Sequence, residues 1–369
     1  MGSHSERWTS GAGRWQAHRT TGRRLQVLVC SSSAPGAASP KRLPPSLEDR
    51  KEAVLRLMSN SSDALPYAVV LAAALALFVP VSFAWFRPPM YAPGLGFLMF
   101  AVGVNLKVEA FKEVFKKPQY IAVGAAGQWL VKPLLGLILA LTLVPLLGLP
   151  NAVGTGLILV SCVSGAQLSN YATFLVHPEQ APLSIVLTAL STAAGVLMTP
   201  ALALLLLGAR IPVDPQGMAL SITQIVLVPV LAGLTCSQYF PSFVVSAKPF
   251  LTFLSLLDTC ACVGASLASN SATARSATGL TVLAPVVVLH VAAYYFGYRL
   301  ARSTIAKESI PLARCISLET GMQSSLLGLL LASKFFNDPL VSLPCGISTI
   351  FMTLSGFGLV VWWKRKASK

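Results

Sequence analysis

Apolar residues along the chain fall into long blocks, separated by short polar or proline-bearing connections. A helix needs about twenty apolar residues to cross roughly 30 Å of hydrocarbon. Ten blocks are candidates: 66–86, 91–106, 119–147, 151–176, 180–208, 217–238, 249–268, 278–300, 310–334 and 339–363. The gaps hold helix breakers such as Arg87-Pro88-Pro89, Lys116-Lys117-Pro118, His177-Pro178, Asp214-Pro215 and Asn337-Asp338-Pro339. The expected fold is therefore an all-α membrane protein of ten transmembrane helices.

Segments five spans apart resemble each other. Val79-Pro80-Val81 in span one is echoed by Val228-Pro229-Val230 in span six. Cys162-Val163-Ser164-Gly165-Ala166-Gln167 in span four is echoed by Cys315-Ile316-Ser317 and Gly321-Met322-Gln323 in span nine. An odd number of crossings per repeat inverts the second copy in the membrane, an architecture common among secondary transporters. Repeat one is expected over about 66–208 and repeat two over about 217–363, within a transporter domain spanning 56–369.

Composition agrees with lipid as the solvent: 54% of residues are hydrophobic and 11% charged, against about a quarter charged in soluble domains. The net charge of +15 would suggest nucleic acid if it were gathered on one face. It is instead concentrated in a leader and in short connections, so nucleic acid is excluded as a partner. Residues 1–55 carry Arg7, Arg14, Arg19, Arg23, Arg24, Lys41 and Arg42 among many Ser, Gly and Pro, and read as an organelle transit peptide. Ten spans put both termini on one face. That face collects Arg56, Lys107, Lys112, Lys116, Lys117, Lys248, Arg302, Lys307 and the basic end of the chain, which orients it towards stroma, matrix or cytoplasm. The seven cysteines lack metal-ligand spacing and read as buried thiols.

Of the acidic residues after position 60, only Asp258 and Glu319 lie inside apolar blocks, where an ionised carboxylate costs several kcal/mol unless something compensates it. Glu319 sits in Ser317-Leu318-Glu319-Thr320-Gly321-Met322-Gln323-Ser324-Ser325, too polar for a lipid-facing helix. If Gly321 lets the backbone open, freed carbonyls with the Glu and Gln oxygens make a hard, oxygen-only cage for an alkali cation. Span four has a matching disturbance at Ser164–Asn170. Ser184 and Thr188 share one face of span five, and Gln128 precedes Pro133 in span three, where proline weakens the helical ladder. Lys132, one turn from Gln128, is expected either to meet a substrate carboxylate, to snorkel or to pair with Asp258.

These motifs resemble the bile acid:sodium symporter family, in particular its plant plastid branch of sodium/metabolite cotransporters. The resemblance covers about residues 55–363 and rests on Gly94-Leu95-Gly96-Phe97-Leu98-Met99-Phe100-Ala101-Val102-Gly103, Gly165-Ala166-Gln167-Leu168-Ser169-Asn170 and Glu319-Thr320-Gly321-Met322-Gln323-Ser324-Ser325. It implies two inverted five-helix repeats forming panel and core domains, with the fourth and ninth helices broken and crossing. It implies one sodium on Ser169, Asn170, Ser184, Thr188 and Glu319, and a second on Gln128, Glu319, Gln323 and the carbonyls of Thr320 and Met322. Ser324 stands where bacterial relatives have Asn; it joins Lys132 and Asn170 as a candidate substrate contact.

The function so implied is sodium-coupled symport of a small organic anion by alternating access. A monocarboxylate such as a 2-oxo acid, pyruvate or glycolate would be carried across the plastid inner envelope. Two Na⁺ ions are expected as coupling ions and no other cofactor, the carrier being monomeric with stromal termini. A proton-coupled or uniporting carboxylate carrier is the alternative. An intramembrane hydrolase is a poorer one, since the chain lacks a Gly-x-Ser-x-Gly elbow and a paired His and carboxylate.

Overall fold

A computed structural model describes residues 61–367 apart from 209–212, 270, 306 and 308; the expected transit segment lies outside the described residues. All the regular elements described are helical; besides short 3₁₀ turns and a five-residue helix Ser271–Arg275 they are α1 Ser61–Phe78, α2 Pro88–Asn105, α3 Val108–Phe115, α4 Pro118–Leu146, α5 Asn151–Ser161, α6 Leu168–Val176, α7 Ala181–Leu207, α8 Pro215–Tyr239, α9 Pro241–Ser269, α10 Ala277–Thr304, α11 Ile310–Gly321, α12 Ser325–Phe335 and α13 Ser342–Ala367. Proline within the first two positions starts α2, α4, α8 and α11, where its missing N–H leaves no hydrogen bond unmade. Asp214 and Ser276 cap α8 and α10 by accepting the N–H groups of Gly217 at 2.9 Å and Gly279 at 3.3 Å.

Six of these helices are long and apolar enough to cross a membrane, or seven if α2 and α3, bent by 73° at their junction, count as one span. The ten expected spans exceed this count because the regions 151–176 and 310–334 each fold as two short helices, α5 with α6 and α11 with α12. In α1 the apolar stretch among the described side chains is Tyr67–Phe78. The basic connection after α2 contains the amphipathic α3, which buries Val114 and leaves Lys112 and Glu113 outside. Large apolar side chains such as Leu71, Phe78, Leu146, Leu197, Leu205 and Phe243 point outward, as a lipid-facing surface requires.

Two helices carry a π turn, Gly127–Val131 in α4 and Thr223–Leu227 in α8, each ending two residues before a proline (Pro133, Pro229). The proline withholds one ladder donor, and the wider turn accommodates the loss. The two Val-Pro-Val segments therefore differ in structure. Pro80 begins a 3₁₀ turn that ends α1, whereas Pro229 sits inside α8 behind its π turn.

Helices α1, α2, α8 and α9 pack on one another, and α4 packs with α5, α10 with α11, and α12 with α13. The six described cysteines are unbridged. The α2–α8 crossing is the closest: a Cβ on Gly103 would fall on the Val230 carbonyl, and one on Gly233 on the Phe100 carbonyl. Gly103→Val should thus cost about 1–3 kcal/mol or more. A Cβ on Gly96 would meet only ordinary contacts, Ile225 O at 3.7 Å and Pro229 Cγ at 3.8 Å. Thermal unfolding in detergent should show Gly103→Val clearly destabilised and Gly96→Ala close to the parent.

Candidate cation and substrate site

The chain between α5 and α6 and the chain between α11 and α12 leave helical geometry and pair with each other. Ala166 N–H donates to Met322 O at 3.1 Å and Ser324 N–H to Ser164 O at 2.8 Å, forming an isolated antiparallel bridge between Gly165 and Gln323. The two connections thereby satisfy part of each other's backbone. The backbone does leave the helix here, at Met322 directly after Gly321, but without a positive φ at the glycine. Gly321 is the last residue of α11, and no described residue except Gly148 has a positive φ. Glycine is required at 321 by space, because a Cβ there would enter the Tyr294 ring.

Glu319, near the end of α11, is 4% exposed and is the sole carboxylate among the buried described residues. Ser169 donates to its Oε1 at 2.6 Å, Ser184 to Oε1 at 2.5 Å and Thr188 to Oε2 at 2.9 Å. Asn170 Oδ1 receives the same Ser184 and Thr188 hydroxyls at 2.9 Å each, and Ser169 also reaches Ala166 O at 2.7 Å. The first expected ligand set is thus brought together entire, but its protons do not suffice. Each hydroxyl carries one proton, so three protons serve six short oxygen contacts. Turning the Asn170 amide over would supply two and still leave Ser169 one short. A metal cation among these oxygens, or a proton on Glu319 itself, would remove the deficit.

The second set is assembled less tightly. Gln128, buried in the π turn of α4, donates its amide to Val163 O at 2.6 Å, and Gln323 donates to Ser161 O at 3.0 Å. Both amides therefore spend their nitrogens on the first interruption and keep their oxygens for something else. A Cβ on Gly165 would lie 3.6 Å from Glu319 Oε2 and 3.8 Å from Gln128 Oε1, so both oxygens border the same glycine. Gln323 Oε1 is buried without a hydrogen-bond partner, a costly arrangement unless a cation or water takes it. Met322 O is engaged by Ala166, and the Thr320 hydroxyl turns back to Ile316 O at 2.8 Å. No cluster of three His, Cys, Asp or Glu is found among the described residues, and the donor set is oxygen throughout, as suits a hard monovalent ion.

A cavity of about 560 Å³ adjoins these interruptions. Asn170 and Ser324 line it; Lys132 does not. Lys132 is fully buried, donates to Gly321 O at 2.7 Å and lies 3.4 Å from His290 Nδ1. It neither snorkels nor pairs with Asp258. His290 Nδ1 also sits 2.9 Å from Gly321 O and its Nε2 2.7 Å from Ser348 Oγ, which places the imidazole proton on Nδ1. Sequence reasoning missed Ser191, whose hydroxyl accepts from Gly165 N–H at 3.1 Å and donates to Thr188 O at 2.9 Å. The run Ser184, Thr188, Ser191, at steps of four and three on one helix face, was the available signal.

A chain of membrane-length apolar helices, with its buried carboxylate caged in oxygens where two helices are interrupted, has the makeup of a membrane carrier. The Sodium Bile acid symporter family model matches residues 92–275. Over 86% of this chain and 78% of the relative, the sequence is 50% identical to the probable sodium/metabolite cotransporter BASS6, chloroplastic, of Arabidopsis thaliana. It is 46% identical to the probable sodium/metabolite cotransporter BASS5, chloroplastic, of Oryza sativa subsp. indica, over 88% of this chain and 82% of that one. Identity to the Arabidopsis thaliana BASS5 protein of the same description is 47%, over 85% and 77%. The chain belongs to the sodium bile acid symporter family, within its plant sodium/metabolite cotransporter branch, and so to a family of transporters rather than enzymes.

The hydroxyls around Glu319 act on shared acceptors, so their loss should not be additive. Ser184→Ala and Thr188→Ala should each destabilise the protein by about 1–3 kcal/mol. The double variant should lose less than the two losses combined when thermal unfolding is followed in sodium-free buffer.

Proposed function

We propose that this chain couples the movement of Na⁺ to that of a small organic anion, a monocarboxylate of the 2-oxo or hydroxy acid type, by alternating access. The observation that carries the reading is the proton deficit around Glu319, reinforced by the unpartnered Gln323 Oε1 beside it. Sodium supplies the missing positive charge. Ser169, Asn170, Ser184, Thr188 and Glu319 hold one ion; Gln128, Glu319, Gln323 and the carbonyls of Thr320 and Met322 hold the other. Charge neutralisation at Glu319 lets the two interruptions keep their paired geometry. The starts of α6 and α12, whose backbone dipoles favour negative charge, then face the cavity through Leu168, Ser324 and Ser325. Cation binding and anion binding are linked because both act on these two short segments.

The same reading takes α5 with α6 and α11 with α12 each as one span broken near mid-membrane, which restores ten spans in two inverted repeats. The group α1, α2, α8 and α9 is the panel, and the remaining helices form the core that rocks against it. The cavity reaches Asn105 and Leu106 at the end of α2 and Lys248 on α9, residues assigned to the face bearing both termini. The described state is thus one open to the stroma. The relatives' chloroplastic designations and the basic leader support the plastid inner envelope.

Purified protein in liposomes should take up a labelled 2-oxo acid when an inward Na⁺ gradient is imposed, and not with K⁺ or choline instead. Na⁺ alone should raise the unfolding temperature of the parent. Glu319→Gln should abolish both effects while folding normally in sodium-free buffer. Full Na⁺-driven uptake by Glu319→Gln would overturn the assignment, and uptake driven by a proton gradient without Na⁺ would replace sodium by H⁺ as the coupling ion.

A further inference from the structure

Among the described residues lining the cavity, Lys248 is the single charged side chain. It is exposed on α9, and no Asp, Glu, Arg or His shares that wall among the described residues. Beyond it the same helix contributes Thr252, Ser255 and Thr259 to the lining, at steps of four, three and four residues, so that all four occupy one helix face. Asp258 belongs to another face. Its carboxylate lies against Gly94 of α2, where a Cβ would come within 3.4 Å of Oδ2, and it does not line the cavity. A polar stripe headed by one cation therefore runs along an otherwise apolar helix. The threonines are internally satisfied, Thr252 donating to Lys248 O at 2.9 Å and Thr259 to Ser255 O at 2.8 Å. The Ser255 hydroxyl is buried without a partner among the described residues.

We infer that Lys248 takes the carboxylate of the transported anion and limits the cargo to acids with one negative charge. This rests on the symport reading above. Much of the cavity wall is apolar, including Leu98, Met99, Leu251 and Leu256. One carboxylate finds its counter-ion there, and an apolar carbon chain finds hydrocarbon. The starts of α6 and α12 offer the dipole charge of a helix end but no second formal counter-ion, so the second carboxylate of a dianion would stay without a cationic partner, which costs several kcal/mol. Lysine suits the lip of such a site because its long flexible stem lets a point charge follow the anion inward. Were Lys248 only a topology-setting charge at the membrane surface, the cavity would be indifferent to it.

The test uses full-length protein in liposomes with Na⁺-driven counterflow of pyruvate, glycolate, 4-methyl-2-oxopentanoate and succinate. If the parent moves none of them in a Na⁺-dependent way, the symport reading fails and takes this inference with it. If it does move one, the kinetics of Lys248 variants decide. Lys248→Gln is expected to raise the half-saturation concentration of the best monoacid about tenfold or more. Its maximal rate and its Na⁺ half-saturation at saturating acid should stay within about twofold of the parent. Lys248→Arg should recover most of the affinity, Lys248→Glu should abolish uptake, and Lys248→Gln should narrow the preference for monoacid over succinate. A retained Na⁺-induced rise in unfolding temperature in Lys248→Gln marks an intact cation site. Parental acid affinity in both Lys248→Gln and Lys248→Glu would overturn the inference, as would a parent that prefers succinate.

Discussion

The structure depends on keeping one carboxylate deep in an apolar chain. Glu319 is almost wholly buried, and an ionised carboxylate there is tolerable only with several donors or a cation around it. Three hydroxyls from two elements answer that demand: Ser169 at the start of α6, and Ser184 and Thr188 of α7. None of them alone could do so. A straight α5–α6 helix would present its backbone as a closed ladder and could not hold the bridge to Gln323.

Close packing behind the site follows from the same demand. Gly127 in the π turn of α4 and Gly297 in α10 both lie so near Thr320 that a Cβ on either would overlap its side chain. Gly321 lies as near to Tyr294, whose hydroxyl donates to Met352 O at 3.0 Å. Helices α4, α10, α11 and α13 thus meet through glycines at the back of the carboxylate, and the cavity opens on the other side of the interruptions, towards α2 and α9. One side is locked by backbone-level contact and the other is lined by side chains around space. Such an asymmetry suits two bodies that move against each other, since packed interfaces shift between discrete arrangements rather than deform smoothly.

Much of this was legible in the sequence because the costly residues identify themselves. A glutamate amid hydroxyls and amides in an apolar block has few uses, and the residues singled out on that ground do converge on one place. The positions of the interruptions were readable too: Ser164–Asn170 overlaps the gap between α5 and α6, and the second gap follows Gly321 directly. What the sequence concealed was geometry that leaves the apolar pattern unchanged. Two short helices in succession, 12 residues in α11 and 11 in α12, leave the same apolar block in the sequence as one span would. Gly321 looked like a hinge because glycine favours open backbone, yet it serves clearance from a tyrosine ring. The expected equivalence of Val79-Pro80-Val81 and Val228-Pro229-Val230 compared letters whose prolines do different work, one ending a helix and the other trailing a π turn.

The two lysines near the site make the same point about burial and role. Lys132 follows Gln128 by one turn, and proximity in sequence argued for a part in binding the anion. Its ammonium instead closes onto Gly321 O, at the end of α11 where the helix dipole is negative, and nothing in the cavity can reach it. Lys248 lies 116 positions away on a different helix and looks in sequence like a surface charge that fixes topology. Folding sets it on the cavity wall, where no acidic residue stands among the described lining residues. A buried cation already engaged by a carbonyl can stabilise an interruption but cannot greet a ligand. An exposed one at the lip of an apolar cavity can attract an anion and release it again, which is what a carrier must do on every cycle.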